Sequence, residues 1–234
     1  FDVSTSSFVD SFSVNAQDTQ PVGIAFNIDG TKMFVVGNSG QDINEYTLST
    51  GFDVSTASFV DAFSVSSQET SPRGVAFNTN GTKMFVVGDA GDDVNEYTLS
   101  TGFDVSTASF VDAFSISAQE TLPYDLTFNT DGTKMFIAGI VGQAIYEYTL
   151  STGFDVSTSV YSQSFSVASQ DTQPTGIAFN TDGSKMFFVG NISFNVNEYS
   201  IGTTAIPTGY QPVHTTASTD TTYWTDINSM TADQ

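Results

Sequence analysis

The sequence has no cysteine and very few basic residues. Without cysteine there is no disulfide and no thiolate metal site. Only 5 lysine and arginine residues stand against 26 aspartate and glutamate residues, which gives a net charge of −21 at pH 7. Such a surface repels nucleic acids and anionic membranes, because binding to either depends on basic residues that meet phosphates. We therefore expect no nucleic-acid partner.

Long hydrophobic runs are also missing. No stretch approaches the ~18 apolar residues of a membrane-spanning helix, so we expect no membrane insertion. The single histidine, His214, has no serine, cysteine or carboxylate arranged around it, which argues against a catalytic triad and a histidine metal site. The sequence begins at Phe1 rather than at methionine, which indicates a processed product or a piece of a longer polypeptide.

Four copies of one motif occupy the chain up to Ile201. They begin at Phe1, Phe52, Phe103 and Phe154, so the period is 51 residues. Each copy contains a version of PVGIAFNIDGTKMFVVG, in which an Asn-x-Asp/Asn-Gly turn separates two short apolar runs and predicts a β-hairpin. A period of about 40 to 50 residues with several short strands per unit indicates the blades of a β-propeller.

The first copy predicts four strands, at Phe8–Val14, Gly23–Asn27, Lys32–Gly37 and Ile43–Leu48. The strand Gly23–Asn27 has small residues on one face, which lets backbones crowd together beside a propeller axis, so we predict that it is innermost. Phe8–Val14 has one apolar and one mostly polar face, which is typical of a half-exposed outer strand. Because a blade begins with its innermost strand, here Gly23–Asn27, the strand Phe8–Val14 before it belongs to the preceding blade.

The predicted fold is an all-β propeller of four four-stranded blades over residues 1–202. Its ring is closed in one of two ways. Either Phe8–Val14 pairs beside Asn195–Ile201, as a strand swap within the chain, or other chains complete the ring. Residues 203–234 are rich in Thr, Ser and Pro, which predicts a linker followed by a further segment or a docking tail.

The segment PTGIAFNTDGSKMFFVG, followed by NEYSIG, resembles the propeller repeats of the NHL and YVTN types. The longer pattern EYTLSTGFDVSTASFVDAFSV is similar to repeats in proteins of marine bacteriophages and environmental bacteria, and TTYWTDINSMTADQ is similar to a segment of large phage structural proteins. The repeat resemblance covers about residues 1–201. It implies a virion-associated or secreted structural protein, with no enzymatic residues to carry over.

The four copies differ from one another mainly in two loops, which propeller connectivity places on one face. We call this the variable face; drift in unconstrained loops is the alternative explanation of its variation. In copy three, Tyr124-Asp125 replaces the x-Gly of the other copies, either as a ligand contact at the axis or as a local packing change. The other candidate contacts for a ligand or partner are the acidic Asp89, Asp92 and Asp93 and the apolar Ile140, Val141, Ile192 and Phe194.

Two further interpretations concern charged residues. The acidic trio in copy two and the Asn-x-Asp-Gly turns have oxygen ligands for Ca²⁺, yet their spacing matches no EF-hand-type loop and turn chemistry alone explains the turns, so we predict no metal or cofactor. Lys32 and Glu45 recur in every copy. We place Glu45 opposite Val35, which disfavours a direct ion pair within one hairpin and leaves a pair across blades open.

The function expected from the sequence is a non-enzymatic structural and interaction protein of a virion or cell surface. It is extracellular or virion-associated, and its apolar loops and tail bind protein neighbours, including copies of itself. The alternative is a carbohydrate-binding adhesin or receptor-binding module that binds glycans, with or without calcium. A glycosidase-type enzyme needs paired carboxylates near the axis, and only Asp125 hints at one.

Overall fold

The computed structural model describes residues 7–202, together with the backbone of two short strands further along the chain. These residues form an all-β fold of four antiparallel sheets, arranged as the blades of a β-propeller, as predicted. The rest of the predicted linker and docking tail, 203–234, lies outside the described residues. Within the described part of the chain, no helix is long and apolar enough to cross a membrane.

Three blades have four strands and the fourth has three. Blade 1 contains β1 (Pro21–Phe26), β2 (Lys32–Gly37), β3 (Asp42–Leu48) and β4 (Ala57–Ser64). Blade 2 contains β5 (Pro72–Phe77), β6 (Lys83–Gly88), β7 (Asp93–Leu99) and β8 (Ala108–Ser115). Blade 3 contains β9 (Pro123–Phe128), β10 (Lys134–Gly139), β11 (Ala144–Leu150) and β12 (Ser159–Ser166). Blade 4 contains β13 (Pro174–Phe179), β14 (Lys185–Gly190) and β15 (Val196–Ser200). β16 (Tyr210–Val213) and β17 (Tyr223–Asp226) pair with each other.

The strand predicted to be innermost does line the axis. Strands pair in chain order within each blade, and the inner strands β1, β5, β9 and β13 pack against one another in series. A Cβ atom at Gly23 would lie 2.6 Å from the carbonyl oxygen of Arg73 in the next blade, closer than carbon and oxygen can approach. Glycine at this position therefore lets neighbouring blades approach at the axis.

Aromatic side chains fill the space between blades. The ring centroid of Phe34 in blade 1 lies 4.3 Å from that of Phe77 in blade 2, and Phe77 lies 5.5 Å from Phe103. Burial of a side chain of this size stabilises a fold by about 1.5–3 kcal/mol, so these contacts between blades stabilise the propeller. The same triad recurs between blades 2 and 3 as Phe85, Phe128 and Phe154.

The Asn-x-Asp-Gly turns are stabilised by their own side chains. The Asp29 carboxylate accepts hydrogen bonds from the backbone N–H of Thr31 at 3.0 Å and from its hydroxyl at 2.6 Å. These bonds lower the pKa of Asp29. Gly30 has φ of 70°, a left-handed conformation that glycine adopts without strain. Turn formation accounts for these residues, as predicted from the sequence.

The interpretation of Lys32 and Glu45 was wrong. The register places Glu45 opposite Phe34, not Val35, so Lys32 and Glu45 are diagonal neighbours on the same face of the hairpin. Their side chains form a direct ion pair, with Lys32 Nζ 2.6 Å from Glu45 Oε1. A displacement of one residue exchanges the two faces of a strand, which is why the sequence-based estimate missed the pair.

The same pair also binds the next blade. Glu45 Oε2 accepts a hydrogen bond from the backbone N–H of Val105 at 2.9 Å, and Lys32 Nζ donates to the carbonyl oxygen of Phe103. Both partners belong to the Phe-Asp-Val segment that leads into a 3-10 turn of blade 2, Val105–Thr107. We call this arrangement the blade clasp. It recurs between blades 2 and 3, where Lys83 and Glu96 bind the backbone of Phe154 and Val156.

The predicted strand swap within the chain is absent from the described residues. Strand β15 pairs only with β14, and the segment 8–14 is not a strand. Phe12 and Val14 instead pack against blade 1, where Phe12 lies 5.7 Å from the Tyr46 ring in an edge-on geometry. The series of blades is therefore open, because β13 does not pack back onto β1 as neighbouring inner strands do.

We expect the blade clasp to contribute measurably to stability. In Glu45→Gln, Lys32 loses its charged partner inside a contact where Glu45 is only 1% exposed, so the free energy of unfolding should fall by about 2–4 kcal/mol in urea titrations. The control is Glu147→Gln in blade 3. Glu147 pairs with Lys134 but receives no hydrogen bond from a following blade within the described residues, and its loss should stay below about 1 kcal/mol. Equal losses in the two variants would contradict the role of the clasp between blades.

Candidate functional site

A β-bulge opens the inner strand of every blade. The register between inner and second strand shifts between Pro21 and Gly23, and at the equivalent place in the other three blades. The residue left out of the ladder is free to point away from the sheet, and bulges commonly re-aim side chains in this way. These positions are among the most divergent between copies, since they hold Val22, Arg73, Tyr124 and Thr175.

Asp125 follows one of these bulges and stands where the other copies have glycine. It lies on β9 and pairs with Ala138 of β10. Its Oδ1 accepts a hydrogen bond from the N–H of Leu126, and its Oδ2 accepts one from the N–H of Ile177 in blade 4, both at 2.9 Å. The carboxylate therefore joins the inner strands of blades 3 and 4 at the axis.

The environment of Asp125 makes it a weaker acid. Burial raises the pKa of its carboxyl to about 6, and the hydrogen bonds from Ile177 and Leu126 oppose a larger rise. At pH 7 the group is mostly ionised and is also a stronger base than an ordinary aspartate. A carboxylate in this state is suited to accept a proton near neutral pH.

Asp125 lines a cavity of about 410 Å³ along the axis. The cavity extends along the inner strands toward the Asn-x-Asp-Gly turns and has apolar walls that include Ile24, Val75, Leu126 and Ile177. Among the described residues that line it, Asp125 is the only ionisable one. The cavity thus combines apolar and polar walls with one basic carboxylate, a composition that a small-molecule site can have.

A charged cluster stands beside Asp125 on the variable face. Arg73 donates to Asp89 Oδ2 from Nη2 at 2.7 Å and from Nε at 3.2 Å, and its guanidinium carbon lies 4.9 Å from the ring centroid of Tyr124. Arg73 is the one basic residue that is not in a Lys–Glu pair of a hairpin. The cluster brings together Tyr124 and Asp89, two residues that the sequence analysis treated as separate candidates.

The other members of the acidic trio do not converge with Asp89. Asp93 accepts a hydrogen bond from Asn95 at 2.7 Å, while Asp92 has φ of 51° and a buried Oδ1 without a partner among the described residues. Burial and the neighbouring charges of Glu69 and Asp92 raise the pKa of Asp93. In the described part of the chain, no three histidine or carboxylate side chains are grouped to hold a metal ion.

The apolar candidates lie further from the axis, in the loops between the second and third strands of blades 3 and 4. Val141, Ile192 and Phe194 are exposed, with Phe194 at 83%, whereas Ile140 is half-buried. The described contacts do not bring these four residues to Asp125.

One recurring residue of the variable face was missed in the sequence analysis. A buried carboxylate, represented by Glu120, lies beneath the two variable loops of each blade. Glu120 accepts hydrogen bonds from the N–H groups of Leu122 at 2.8 Å in the first loop and of Gly142 at 3.0 Å in the second. The sequence signal that could have identified this carboxylate is the motif Gln-Asp/Glu-Thr, which recurs in every copy. The equivalent carboxylates belong to Asp18, Glu69 and Asp171.

No protein-family model and no curated protein matches the sequence. Solved structures match by fold. A candidate 6-phosphogluconolactonase of Bacteroides uniformis is 13% identical with a TM-score of 0.56, over 80% of this chain and 55% of that protein. Another, from Bacteroides fragilis, is 13% identical with a TM-score of 0.55, over 82% and 54%. The periplasmic gluconolactonase of Pseudomonas aeruginosa is 13% identical with a TM-score of 0.50, over 77% and 49%.

These comparisons confirm the propeller and correct the functional prediction. The chain spans about half the length of the solved structures it matches, and at 13% identity the likeness shows the fold. The narrower resemblance to NHL-type blades and phage proteins is not shown. The prediction of a virion or cell-surface structural protein was wrong, because the structural neighbours include sugar-lactone enzymes. The expectation that the chain is not an enzyme also lacks support. It relied on the absence of paired carboxylates and overlooked that burial raises the pKa of a single carboxylate.

Proposed function

We propose that the chain hydrolyses small neutral sugar lactones, with the axial cavity as its active site and Asp125 as the general base. The observation that carries this proposal is the position of one carboxylate of raised pKa in the axial cavity, where it is the only ionisable residue among the described lining residues. The fold likeness to candidate 6-phosphogluconolactonases suggests the class of substrate. A cavity of about 410 Å³ accommodates a molecule the size of a sugar lactone.

Lactone hydrolysis needs one proton acceptor and one water. Asp125 takes a proton from water as the water oxygen attacks the lactone carbonyl carbon. The bond from that carbon to the ring oxygen then breaks, and the proton passes from Asp125 to the released hydroxyl. The products are a hydroxy acid and an unchanged Asp125. A carboxylate positioned for this step typically contributes about 10²- to 10⁴-fold to the rate.

The surface charge favours a neutral substrate. With a net charge of −21, the chain repels phosphorylated sugars and also repels the carboxylate product of hydrolysis. On the variable face beside Asp125, the Tyr124 ring and the Arg73 guanidinium form a flat surface for a sugar, and the N–H groups of Arg73 that do not contact Asp89 can donate to its hydroxyls. We therefore place unphosphorylated aldonolactones ahead of phosphorylated ones.

Removal of the Asp125 carboxylate should abolish hydrolysis. We expect Asp125→Asn and Asp125→Gly to lower kcat/KM for an aldonolactone at least about 100-fold, measured by titration of the released acid above the spontaneous rate. Glycine is the matched change, because Gly23, Gly74 and Gly176 occupy this position in the other copies. Thr175→Val, at the bulge of blade 4, is the control and should keep activity. An inactive wild-type chain, or full activity in both Asp125 variants, would refute the proposal.

The pH profile should report the same group. Because the ionised carboxylate is the base, kcat/KM should rise with pH through about 6 and then level off. A profile that is flat between pH 5 and about 7.5, or one that falls with rising pH, is incompatible with Asp125 as the base.

Stability should depend on the ionisation of Asp125 in the opposite direction. The folded chain holds this proton more tightly than the unfolded chain, where the pKa is 3.8, so stability is lost as pH rises from about 4 to about 6. Asp125→Asn should remove that loss, which is at most about 3 kcal/mol in the free energy of unfolding. The control is Asp131→Asn, which introduces the residue that blade 2 has at this position, Asn80. Hydrogen bonds from Thr133 lower the pKa of Asp131, so the contribution of Asp131 to stability is instead lost as pH falls. Urea titrations across this pH range measure both.

A further inference from the structure

The open ends of the blade series expose the two halves of one interface. Inside the chain, each blade presents a forward face with its Lys–Glu pair, and the next blade presents a backward face with its Phe-Asp-Val segment. Both faces are covered between blades 1 and 2 and between blades 2 and 3. The forward face of blade 4 and the backward face of blade 1 have no such neighbour among the described residues.

The forward face of blade 4 is built like the covered ones. Val189 is 40% exposed, whereas its equivalent Val36 in blade 1 is fully buried. Lys185 and Glu198 form their ion pair with side chains that are 36% and 37% exposed, while the side chain of Glu45 in the covered clasp is only 2% exposed. This face therefore carries an assembled Lys–Glu pair that holds no following segment in the described part of the chain.

The backward face of blade 1 is the missing counterpart. Ile24 is 60% exposed, although its equivalent Val75 in blade 2 is only 5% exposed. Phe52, which corresponds to Phe103, is 61% exposed. The N–H of Val54 has no acceptor within the described residues, whereas the N–H of Val105 bonds to Glu45. Between blades 1 and 2, the Lys–Glu pair binds the Phe103 carbonyl oxygen and the Val105 N–H, which are equivalent to those of Phe52 and Val54, while Val75 packs in the core between the blades.

The N-terminal segment already occupies the place of a missing outer strand. Phe63, on the outer strand of blade 1, lies 5.5 Å from Tyr97 of blade 2 with the rings at 78°. Phe12 contacts Tyr46 of blade 1 at 5.7 Å and also at 78°. Residues 8–14 therefore lie where the outer strand of a preceding blade belongs, while β15 of blade 4 has one free edge in the described sheet.

We propose that two copies of this chain associate head to tail, so that blade 4 of each packs on blade 1 of the other. Glu198 of one copy then accepts the N–H of Val54 of the second, and Lys185 donates to the carbonyl oxygen of Phe52. Residues 8–14 of the second copy pair with the free edge of β15 and give blade 4 its fourth strand. The strand exchange that the sequence suggested within one chain thus takes place between two.

A two-fold axis along the channel closes the assembly. A head-to-tail contact forms a ring when its rotation closes, and four blades from each of two copies make eight, the upper end of the common range. The chain aligns with about half of each larger solved propeller, so four blades cover about half of a ring. Covering Ile24, Phe52 and Val189 removes exposed apolar surface at both junctions.

Native mass spectrometry and light scattering of the full chain test this proposal. The expected particle has a mass of about 50 kDa, twice the 25.0 kDa of one chain. Val189→Glu places a charge in the junction at a site that is 40% exposed in one copy alone and does not line the axial cavity, so it should raise the dissociation constant at least about 100-fold and leave the circular dichroism spectrum unchanged. Val60→Glu is the matched control, because Val60 lies on the outer strand and its equivalent Val111 stays 51% exposed beside a covered interface.

Hydrogen exchange gives a second readout that does not require a variant. Amides of residues 8–14 should be protected at concentrations above the dissociation constant and exchange freely below it. A monomer at all accessible concentrations, an open filament, or a dimer that is insensitive to Val189→Glu would each overturn the proposal. Lactone hydrolysis by Asp125 is measured separately, so the failure of one proposal can be distinguished from failure of the other.

Discussion

A Lys–Glu pair on each hairpin provides the contact on which the arrangement of the blades depends. In blades 1 and 2 the carboxylate of this pair is bound on one side by its own lysine and on the other by a backbone N–H of the following blade, as with Glu45 and Val105. A buried carboxylate that lost either partner would keep an uncompensated charge, so the position of the next blade is restricted. The aromatic triads then bury apolar surface between the blades that the clasp holds together.

The acidic composition has a structural explanation. Carboxylates cap the 3-10 turns, as Asp53 does, and stabilise the hairpin turns, as Asp29 does. Others form the clasps or bind the loops of the variable face, as Glu45 and Glu120 do. Because these roles recur in most of the repeats, a large negative charge accumulates without any acidic ligand site. Composition alone cannot separate these structural carboxylates from Asp125, which has a different environment.

The sequence predicted the features that depend on local chemistry. Period, turn residues and alternation placed Lys32–Gly37 at its observed bounds and identified the inner and outer strands. Features that depend on register or on distant neighbours were missed. Lys32 and Glu45 form a pair because the strand register places both side chains on the same face of the hairpin. Residues 8–14 pack on blade 1, since they pair with no strand edge within the described chain. The pKa of Asp125 depends on burial and on the Ile177 N–H, 52 residues away.

The candidate site exists because copy three has Asp125 at a position where the other three copies have glycine. A Cβ at Gly74 would lie 2.9 Å from the Cα of Asp125, so an ordinary side chain at that position clashes with the next blade. At Asp125 the side chain fits because its carboxylate reaches over Gly176 and accepts the N–H of Ile177, in place of a close backbone approach. In the proposed two-copy ring, the two-fold axis places one Asp125 from each copy on the same channel. Two carboxylates would then line one channel, and each would keep the environment that its own chain gives it, since the Ile177 N–H that binds Asp125 belongs to the same chain.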